Sequence, residues 1–207
     1  MDTPRGTLLI ACGALGREIA ALRRANDWQS LAVHCLPAQL HNRPERIAPA
    51  VREEIRANRD RYAQIFVVYA DCGTRGALDA VLKEEGVERL PGAHCYEFFA
   101  TPSVFAQLSD AEPGTFYLTD FLLRHFERLV VRSLGLDRHP ELAQEYFRNY
   151  KKLVYLAQLE TPGAIERARQ IADRFGFAFE YRFTGYGQLG TRLRAVMASQ
   201  GALAWQA

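Results

Sequence analysis

The chain has 207 residues, 48% of them apolar, so it can bury the core of one large domain or of two small ones. Its 26 basic and 24 acidic residues nearly cancel, which excludes the strong charge attraction typical of proteins that bind nucleic acid or anionic membrane surfaces. No apolar run approaches the ~20 residues that a membrane-spanning helix needs.

The amino terminus shows no charged leader followed by a long apolar segment, so we expect no signal peptide and a cytoplasmic protein. Thiols stay reduced in the cytoplasm, where structural disulfides are rare. The 4 cysteines are therefore expected to bind metal or to take part in thiol chemistry.

Apolar runs alternate along the chain with amphipathic segments, which predicts strands alternating with helices. Strands are predicted at residues 7–11, 31–33, 65–70, 87–90, 116–118, 153–157 and 177–183. Helices are predicted at residues 17–26, 44–61, 77–85, 96–108, 119–135, 140–150, 164–175 and 188–199, followed by a loose tail to residue 207. This order predicts an α/β fold with a mostly parallel sheet and helices on both faces, Rossmann-like or flavodoxin-like. We expect a single domain, residues 1–207, in which residues 115–207 complete the sheet.

One pattern, C-G-x-x-G-x17-H-C, occurs twice, at residues 12–35 and 72–95, and it contains all 4 cysteines of the chain. An apolar run precedes each copy, so each copy is interpreted as strand, glycine turn, helix and strand. The repeat units span about residues 7–36 and 65–96. A duplicated βαβ unit is a stronger signal than any one of its residues.

The duplication predicts how the sheet is ordered. If a local two-fold relates the copies, the first and third strands are neighbours and the second and fourth strands flank them. Cys12 and Cys72 then face each other at the sheet edge where ligands bind in such folds, because neighbouring strands lie about 4.8 Å apart. Cys35 and Cys95 close the site from either side.

Thiolates and imidazoles are the ligands that soft metals prefer. The predicted metal ligands are the cysteines and histidines of the two copies: Cys12, Cys35, Cys72, Cys95, His34 and His94. Four thiolates can hold a cubane iron–sulfur cluster, and two Cys–His pairs can hold tetrahedral zinc. A helix that follows Cys12 and Cys72 is expected to lower their pKa through its dipole and its free N–H groups.

Four glycines are expected to let a cofactor approach the backbone of these loops, namely Gly13, Gly16, Gly73 and Gly76. Tyr186, in a turn at residues 184–187, is expected to line the same edge. A dinucleotide site competes for the first loop, but the chain lacks the full G-x-G-x-x-G there. His34-Cys35 also stands where an acidic residue would hold the ribose.

Several segments resemble the family named domain of unknown function 1638. They are Cys12–Glu18, His34–Pro37, Tyr69–Gly73, Pro91–Glu97, Gly114–Asp120, Leu136–Pro140 and Thr184–Gly187. The resemblance implies a setting in prokaryotic anaerobic and one-carbon metabolism, near corrinoid-dependent methyl transfer, and it assigns no catalytic residue.

The duplicated cysteine pattern predicts an iron–sulfur protein, and the family resemblance implies a redox or corrinoid protein as its partner. Two alternatives stay open: a zinc-thiolate enzyme of methyl transfer, and a non-metal module that binds a nucleotide or small metabolite. Whether the protein is an enzyme is also left open. Dimerisation through the aromatic helices of residues 116–150 is a further expectation.

Overall fold

The computed structural model describes residues 6–204, and it describes side chains up to residue 198. These residues divide into two compact units. The first unit extends to Cys95 and resumes at Gln188, and the second unit is Tyr96–Gly187.

The first unit is built on a parallel sheet, here called the first sheet. Within the described residues its strands are β1 (Thr7–Cys12), β2 (Leu31–Leu36), β3 (Gln64–Val68) and β4 (Glu88–Arg89). Their order is β2-β1-β3-β4, and each neighbouring pair is parallel. Every residue of β1 is buried, as expected for a central strand of a parallel sheet that is covered on both faces.

Helices join these strands and bury one apolar stripe each. They are α1 (Gly16–Ala25), α2 (Ile47–Asn58) and α3 (Ala77–Glu85). In α2 the buried residues include Ile47, Val51 and Ile55, whose spacing of four places them on one helix face. As a result, α2 presents a single apolar face to the core of the first unit.

The second unit has its own parallel sheet, here called the second sheet. Within the described residues its strands are β5 (Thr115–Thr119), β6 (Lys152–Ala157) and β7 (Ala178–Phe183), in the order β5-β6-β7. Its helices are α4 (Tyr96–Ala100), α5 (Pro102–Ala111), α6 (Asp120–Phe126), α7 (Leu142–Phe147) and α8 (Ala164–Phe175), with a π-helical turn at Glu127–Val131. The last helix, α9 (Gly187–Ala204), returns the chain to the first unit.

Aromatic side chains fill one core of the second unit: Phe116, Phe126, Phe147, Phe175 and Phe177 lie in mutual ring contact. A buried polar network lies at the carboxyl end of the second sheet. There the Tyr155 hydroxyl donates a 2.7 Å hydrogen bond to the Asp120 carboxylate, which also accepts the backbone N–H of Leu159 at 2.9 Å. This network ties the loop after β6 to the start of α6.

The predicted α/β fold with parallel sheets and surrounding helices is confirmed. The predicted strand order of the duplicated half is confirmed as well, because β1 and β3 are neighbours and β2 and β4 flank them. None of the helices in residues 6–204 has both the length and the hydropathy that a bilayer-spanning helix needs.

The expectation that residues 115–207 complete the same sheet is wrong for the described strands. Strands β5, β6 and β7 pair only with one another in the part of the chain that the structure describes. Apolar periodicity locates a strand but does not identify its partner. The predicted loose tail is wrong up to Ala204, where α9 ends, and its last residues, 205–207, lie outside the described residues. That the two units form a single domain stays a prediction.

Candidate metal centre

The carboxyl ends of β1 and β2 and the segment after β3 bring three cysteines together in the first unit. Cys12 is the last residue of β1. Cys35 of β2 pairs with Ala11, the residue of β1 that precedes Cys12. Cys72 follows β3 by four residues. The charges of Cys72 and Cys35 would both act on the Cys12 thiol and raise its pKa, so both sulfurs lie within electrostatic range of the Cys12 sulfur. Cys12, Cys35 and Cys72 are here called the thiol cluster.

Cys12 is the most deeply buried member of the thiol cluster, with 1% of its surface exposed. Its sulfur accepts the backbone N–H of Ala14 at 3.3 Å and so caps the short 3-10 helix Gly13–Leu15. This hydrogen bond lowers the pKa, but burial outweighs it and raises the pKa of Cys12 to about 12. The N–H of Ala14 thus lowers the pKa as expected, but the expectation of a low net pKa is wrong for Cys12.

The pKa of Cys72 is also raised, although its local structure differs from that of Cys12. The turn from Gly73 to Gly76 separates it from the start of α3, so it does not lie at the end of a helix. Burial raises the pKa of Cys72 to about 11, although hydrogen bonds with the backbone of Ala70 and Cys95 oppose the rise. Both thiols are therefore protonated at neutral pH in the metal-free protein.

Cys95 joins this region through its backbone. The Cys72 N–H donates to the carbonyl of Ala93 at 2.9 Å, and the Asp71 N–H donates to that of Gly92 at 3.0 Å. These hydrogen bonds hold the segment ending at Cys95 alongside the segment of Cys72, and the Cys95 residue is half-buried. The two cysteines of the second sequence copy are therefore brought into adjacent segments.

Cys35 lies at the margin of the thiol cluster. Its residue is exposed, and its sulfur is 3.2 Å from the place where a Cβ on Gly16 would lie. Partial burial of the sulfur raises its pKa. Cys35 is therefore the member of the thiol cluster that is most accessible to solvent.

His41 is a site residue that sequence reasoning missed. Its Nδ1 lies 3.8 Å from the Cys12 sulfur and 3.1 Å from the carbonyl of Ala38. Burial lowers the pKa of His41, the Ala38 carbonyl partly opposes this, and the nearby His94 lowers it further. A neutral imidazole beside a thiol is a suitable metal ligand. The sequence held one signal that could have identified His41: it closely follows the predicted strand that leads to Cys35.

Tyr69 is the second residue that the sequence did not reveal. It is 1% exposed, and its ring stacks on that of His41 at a centroid distance of 6.3 Å and an angle of 16°. Its hydroxyl has no hydrogen-bond partner of normal geometry in residues 6–204, yet it lies close enough to the Cys12 sulfur to lower the pKa of that thiol. Tyr69 thus places a buried polar group at the thiol cluster.

The structure separates the two predicted histidine ligands. His34 Nδ1 lies 2.6 Å from a carboxylate oxygen of Glu54 on α2, and its ring makes an edge contact with Tyr62. Side chains alternate along a strand, so His34 and Cys35 project to opposite faces of β2. His94 is exposed and lies near enough to His41 to affect its pKa. His94 therefore lies beside the thiol cluster, whereas His34 is directed towards Glu54, and the assignment of either as a ligand stays a prediction.

Gly13 and Gly16, the glycines of the first copy, leave room for the neighbouring segment that contains Cys35 and Leu36. A Cβ on Gly13 would lie 2.9 Å from the carbonyl oxygen of Leu36, and one on Gly16 would meet the Cys35 sulfur. The segment after β2 thus fills the space beside the first loop, which counts against a pyrophosphate bound there. Gly73 and Gly76 instead adopt positive φ angles of 84° and 83°, which glycine tolerates without strain.

Asp71, next to Cys72, and the predicted site residue Tyr186 have other settings. Asp71 accepts hydrogen bonds from the Thr74 hydroxyl at 2.6 Å and from the N–H groups of Arg75 at 3.1 Å and Gly76 at 2.9 Å. Burial alone would raise the pKa of this carboxyl, but these hydrogen bonds hold it below its usual value. Asp71 therefore stabilises a turn. Tyr186 belongs to the second unit, in the turn after β7.

In residues 6–204, no group of three or more His, Cys, Asp or Glu side chains is already arranged to hold a metal ion. The thiol cluster is therefore a set of neighbouring sulfurs rather than a preformed first coordination shell. The ligand assignment of Cys12, Cys35, Cys72 and Cys95 stays a prediction.

Comparisons with known proteins give one match. No curated protein and no solved structure matches the chain. A family model described as "Protein of unknown function (DUF1638)" matches residues 35–193, a range that includes Cys35, Cys72 and Cys95 and begins after Cys12. Because the match covers well over half of the chain, the protein belongs to the DUF1638 family.

Proposed function

We propose that the first unit binds a thiophilic metal centre at the thiol cluster, with Cys12, Cys35, Cys72 and Cys95 as ligands of an iron–sulfur cluster. The observation that carries this proposal is the buried Cys12 thiol, which has the sulfurs of Cys35 and Cys72 within electrostatic range. The backbone of Cys95 contacts the Cys72 thiol.

The burial of these thiols explains why a metal is the fitting ligand. A buried thiolate would be costly, and the raised pKa values keep Cys12 and Cys72 protonated and poorly nucleophilic at neutral pH. A soft cation can replace the thiol protons and compensate the sulfur charge inside the protein. The site is therefore better suited to holding a metal than to attacking a substrate with a free thiolate.

An iron–sulfur cluster is the first candidate because the chain has four cysteines, and four cysteine thiolates are the usual ligand set of such a cluster.

Zinc is the second candidate, and His41 favours it. The 3.8 Å approach of the His41 imidazole to the Cys12 sulfur supplies a nitrogen ligand of the kind found in mixed Cys/His zinc sites. Closure around one ion would require the side chains of Cys12, Cys72 and His41 to move together. With zinc bound, the protein would be a zinc-thiolate enzyme of methyl transfer. The association with a redox or corrinoid partner, which the family resemblance implies, stays a prediction.

Metal analysis of protein purified without oxygen tests the proposal. We expect iron with acid-labile sulfide and a broad visible absorption that bleaches on reduction; stoichiometric zinc without colour would select the second candidate. Wild-type protein that binds neither centre, after reconstitution with iron and sulfide or with zinc, contradicts both.

Two variants locate the centre within the first unit. Cys72→Ser should lose most of the bound metal, because it removes a sulfur of the thiol cluster. His34→Gln is the matched control, since His34 lies in the same pattern but contacts Glu54, and this variant should keep its metal. Loss of metal in both variants to the same extent would mean that folding, and not ligation, was affected.

A further inference from the structure

The register between β1 and β3 places Tyr69 beside Cys12. Ala11 of β1 pairs with Val68 of β3, so the same register carried one residue further sets Cys12 beside Tyr69. The Tyr69 ring also stacks on His41, whose Nδ1 is 3.8 Å from the Cys12 sulfur. The strand register and the ring contact with His41 thus both place the tyrosine at the thiol cluster.

The hydroxyl of Tyr69 is an unsatisfied polar group in the protein interior. The residue is 1% exposed, and the hydroxyl makes no hydrogen bond of normal geometry among the described residues, although the protonated Cys12 sulfur lies near it. A buried hydroxyl without a partner destabilises the folded state, so such groups are rare and call for an explanation. A tyrosine at this position therefore weakens the metal-free protein compared with a phenylalanine of the same shape.

A metal-bound sulfur would supply the missing acceptor. A protonated thiol is a weak acceptor, whereas a thiolate is charged and accepts much stronger hydrogen bonds. Groups that donate to metal ligands orient those ligands and adjust the metal affinity.

We propose that Tyr69 is a positioning residue that donates its hydroxyl hydrogen bond to the Cys12 thiolate when Cys12 ligates the metal centre. This inference rests on the proposed function, because the acceptor forms only when metal displaces the Cys12 proton. The displaced proton leaves to solvent, and Tyr69 keeps its own proton throughout.

The inference predicts opposite effects of one substitution on the two states of the protein. Tyr69→Phe should leave the metal-free protein as stable as the wild type or more stable, because it removes an unpaired buried hydroxyl. The same variant should bind metal about 10- to 100-fold more weakly, the usual effect of losing a group that supports a metal ligand. A purely structural role would not separate the two measurements in this way.

The experiment compares wild type, Tyr69→Phe and the control Tyr62→Phe. Tyr62 lies in the same unit but its ring contacts His34 and Arg61. Each protein is reconstituted without oxygen, with iron and sulfide in one series and with Co²⁺ in another, because the sulfur-to-cobalt absorption reports thiolate ligation. Affinity is measured by chelator competition, and metal-free stability by thermal unfolding.

The outcomes separate this inference from the proposed function. Weaker binding by Tyr69→Phe, with unchanged binding by Tyr62→Phe and no loss of metal-free stability in Tyr69→Phe, supports the role of Tyr69. Equal affinity of Tyr69→Phe and wild type overturns the inference alone and leaves the metal centre intact. Lower metal-free stability of Tyr69→Phe assigns the hydroxyl a structural role and also overturns the inference. Wild-type protein that binds neither probe overturns both proposals.

Discussion

The buried Cys12 thiol and the half-buried Cys72 thiol should make the metal-free protein unusually sensitive to alkali. The folded state holds the protons of Cys12 and Cys72 up to pKa values of about 12 and about 11, whereas the reference value for an unfolded thiol is 9.0. Because the folded pKa is the higher one, the contribution to stability is full below pH 9.0 and is lost as the pH rises towards the folded values. The sensitive window therefore begins near pH 9.

The size of the effect follows from the same values. At about pH 10 each unfolded thiol is roughly nine-tenths ionised and each folded thiol is still protonated, which costs about 1.4 kcal/mol per thiol. Relative to about pH 8, the two thiols together should lower the free energy of unfolding by roughly 2.7 kcal/mol. This is a large share of the roughly 5–15 kcal/mol that stabilises a typical protein.

Urea unfolding of chelator-treated, reduced protein at these two pH values measures the effect. The comparison is with the double variant Cys12→Ser/Cys72→Ser, which keeps every other ionisable side chain of the protein. We expect the wild type to lose about 2.7 kcal/mol more than the variant between the two pH values. Equal losses in the two proteins would refute the conclusion that burial raises these thiol pKa values.

Three further predictions concern other features of the molecule. Gly13→Ala should destabilise the protein by about 1–3 kcal/mol, because the new Cβ would lie 2.9 Å from the Leu36 carbonyl oxygen; unchanged urea unfolding would contradict this contact. Tyr155→Phe should cost about 1.5–3 kcal/mol, because the buried Asp120 carboxylate loses its 2.7 Å hydrogen bond; thermal unfolding tests it, and an unchanged midpoint counts against that bond. Metal uptake near neutral pH should release at least the protons of the two buried thiols, so the calorimetric binding enthalpy should vary with the ionisation enthalpy of the buffer; an enthalpy that is the same in all buffers would contradict protonated thiols.

The duplicated half of the fold could be predicted because its signals are local. The apolar residues of β1 indicate a buried strand, and Gly86 marks the end of α3, where it adopts a φ of 65°. The repeat then relates the first and third strands, which the observed order confirms. The strands β5, β6 and β7 were predicted as well, but their pairing into a separate sheet was not, because pairing depends on contacts between segments distant in the chain.

The candidate site was predictable in place but not in detail. A sequence shows that Cys12 ends a strand but not that 1% of it is exposed, and the degree of burial reverses the direction of the pKa shift. The pattern marked His34, yet the alternation of β2 directs it towards Glu54, and His41 from the following loop lies beside Cys12 instead. In the sequence Tyr69 resembles any other apolar residue at the end of a strand. Only the register of β1 and β3 shows that Cys12 is its neighbour.

The backbone at Cys72 has a consequence for how this position would respond to sequence variation. Its φ angle is 51°, in the left-handed region that costs a residue with a Cβ roughly 1–2 kcal/mol. Glycine would adopt this conformation without that cost, and asparagine tolerates it better than most residues. A library selected only for folding should therefore enrich glycine or asparagine at this codon, whereas a library selected for a bound centre should return cysteine.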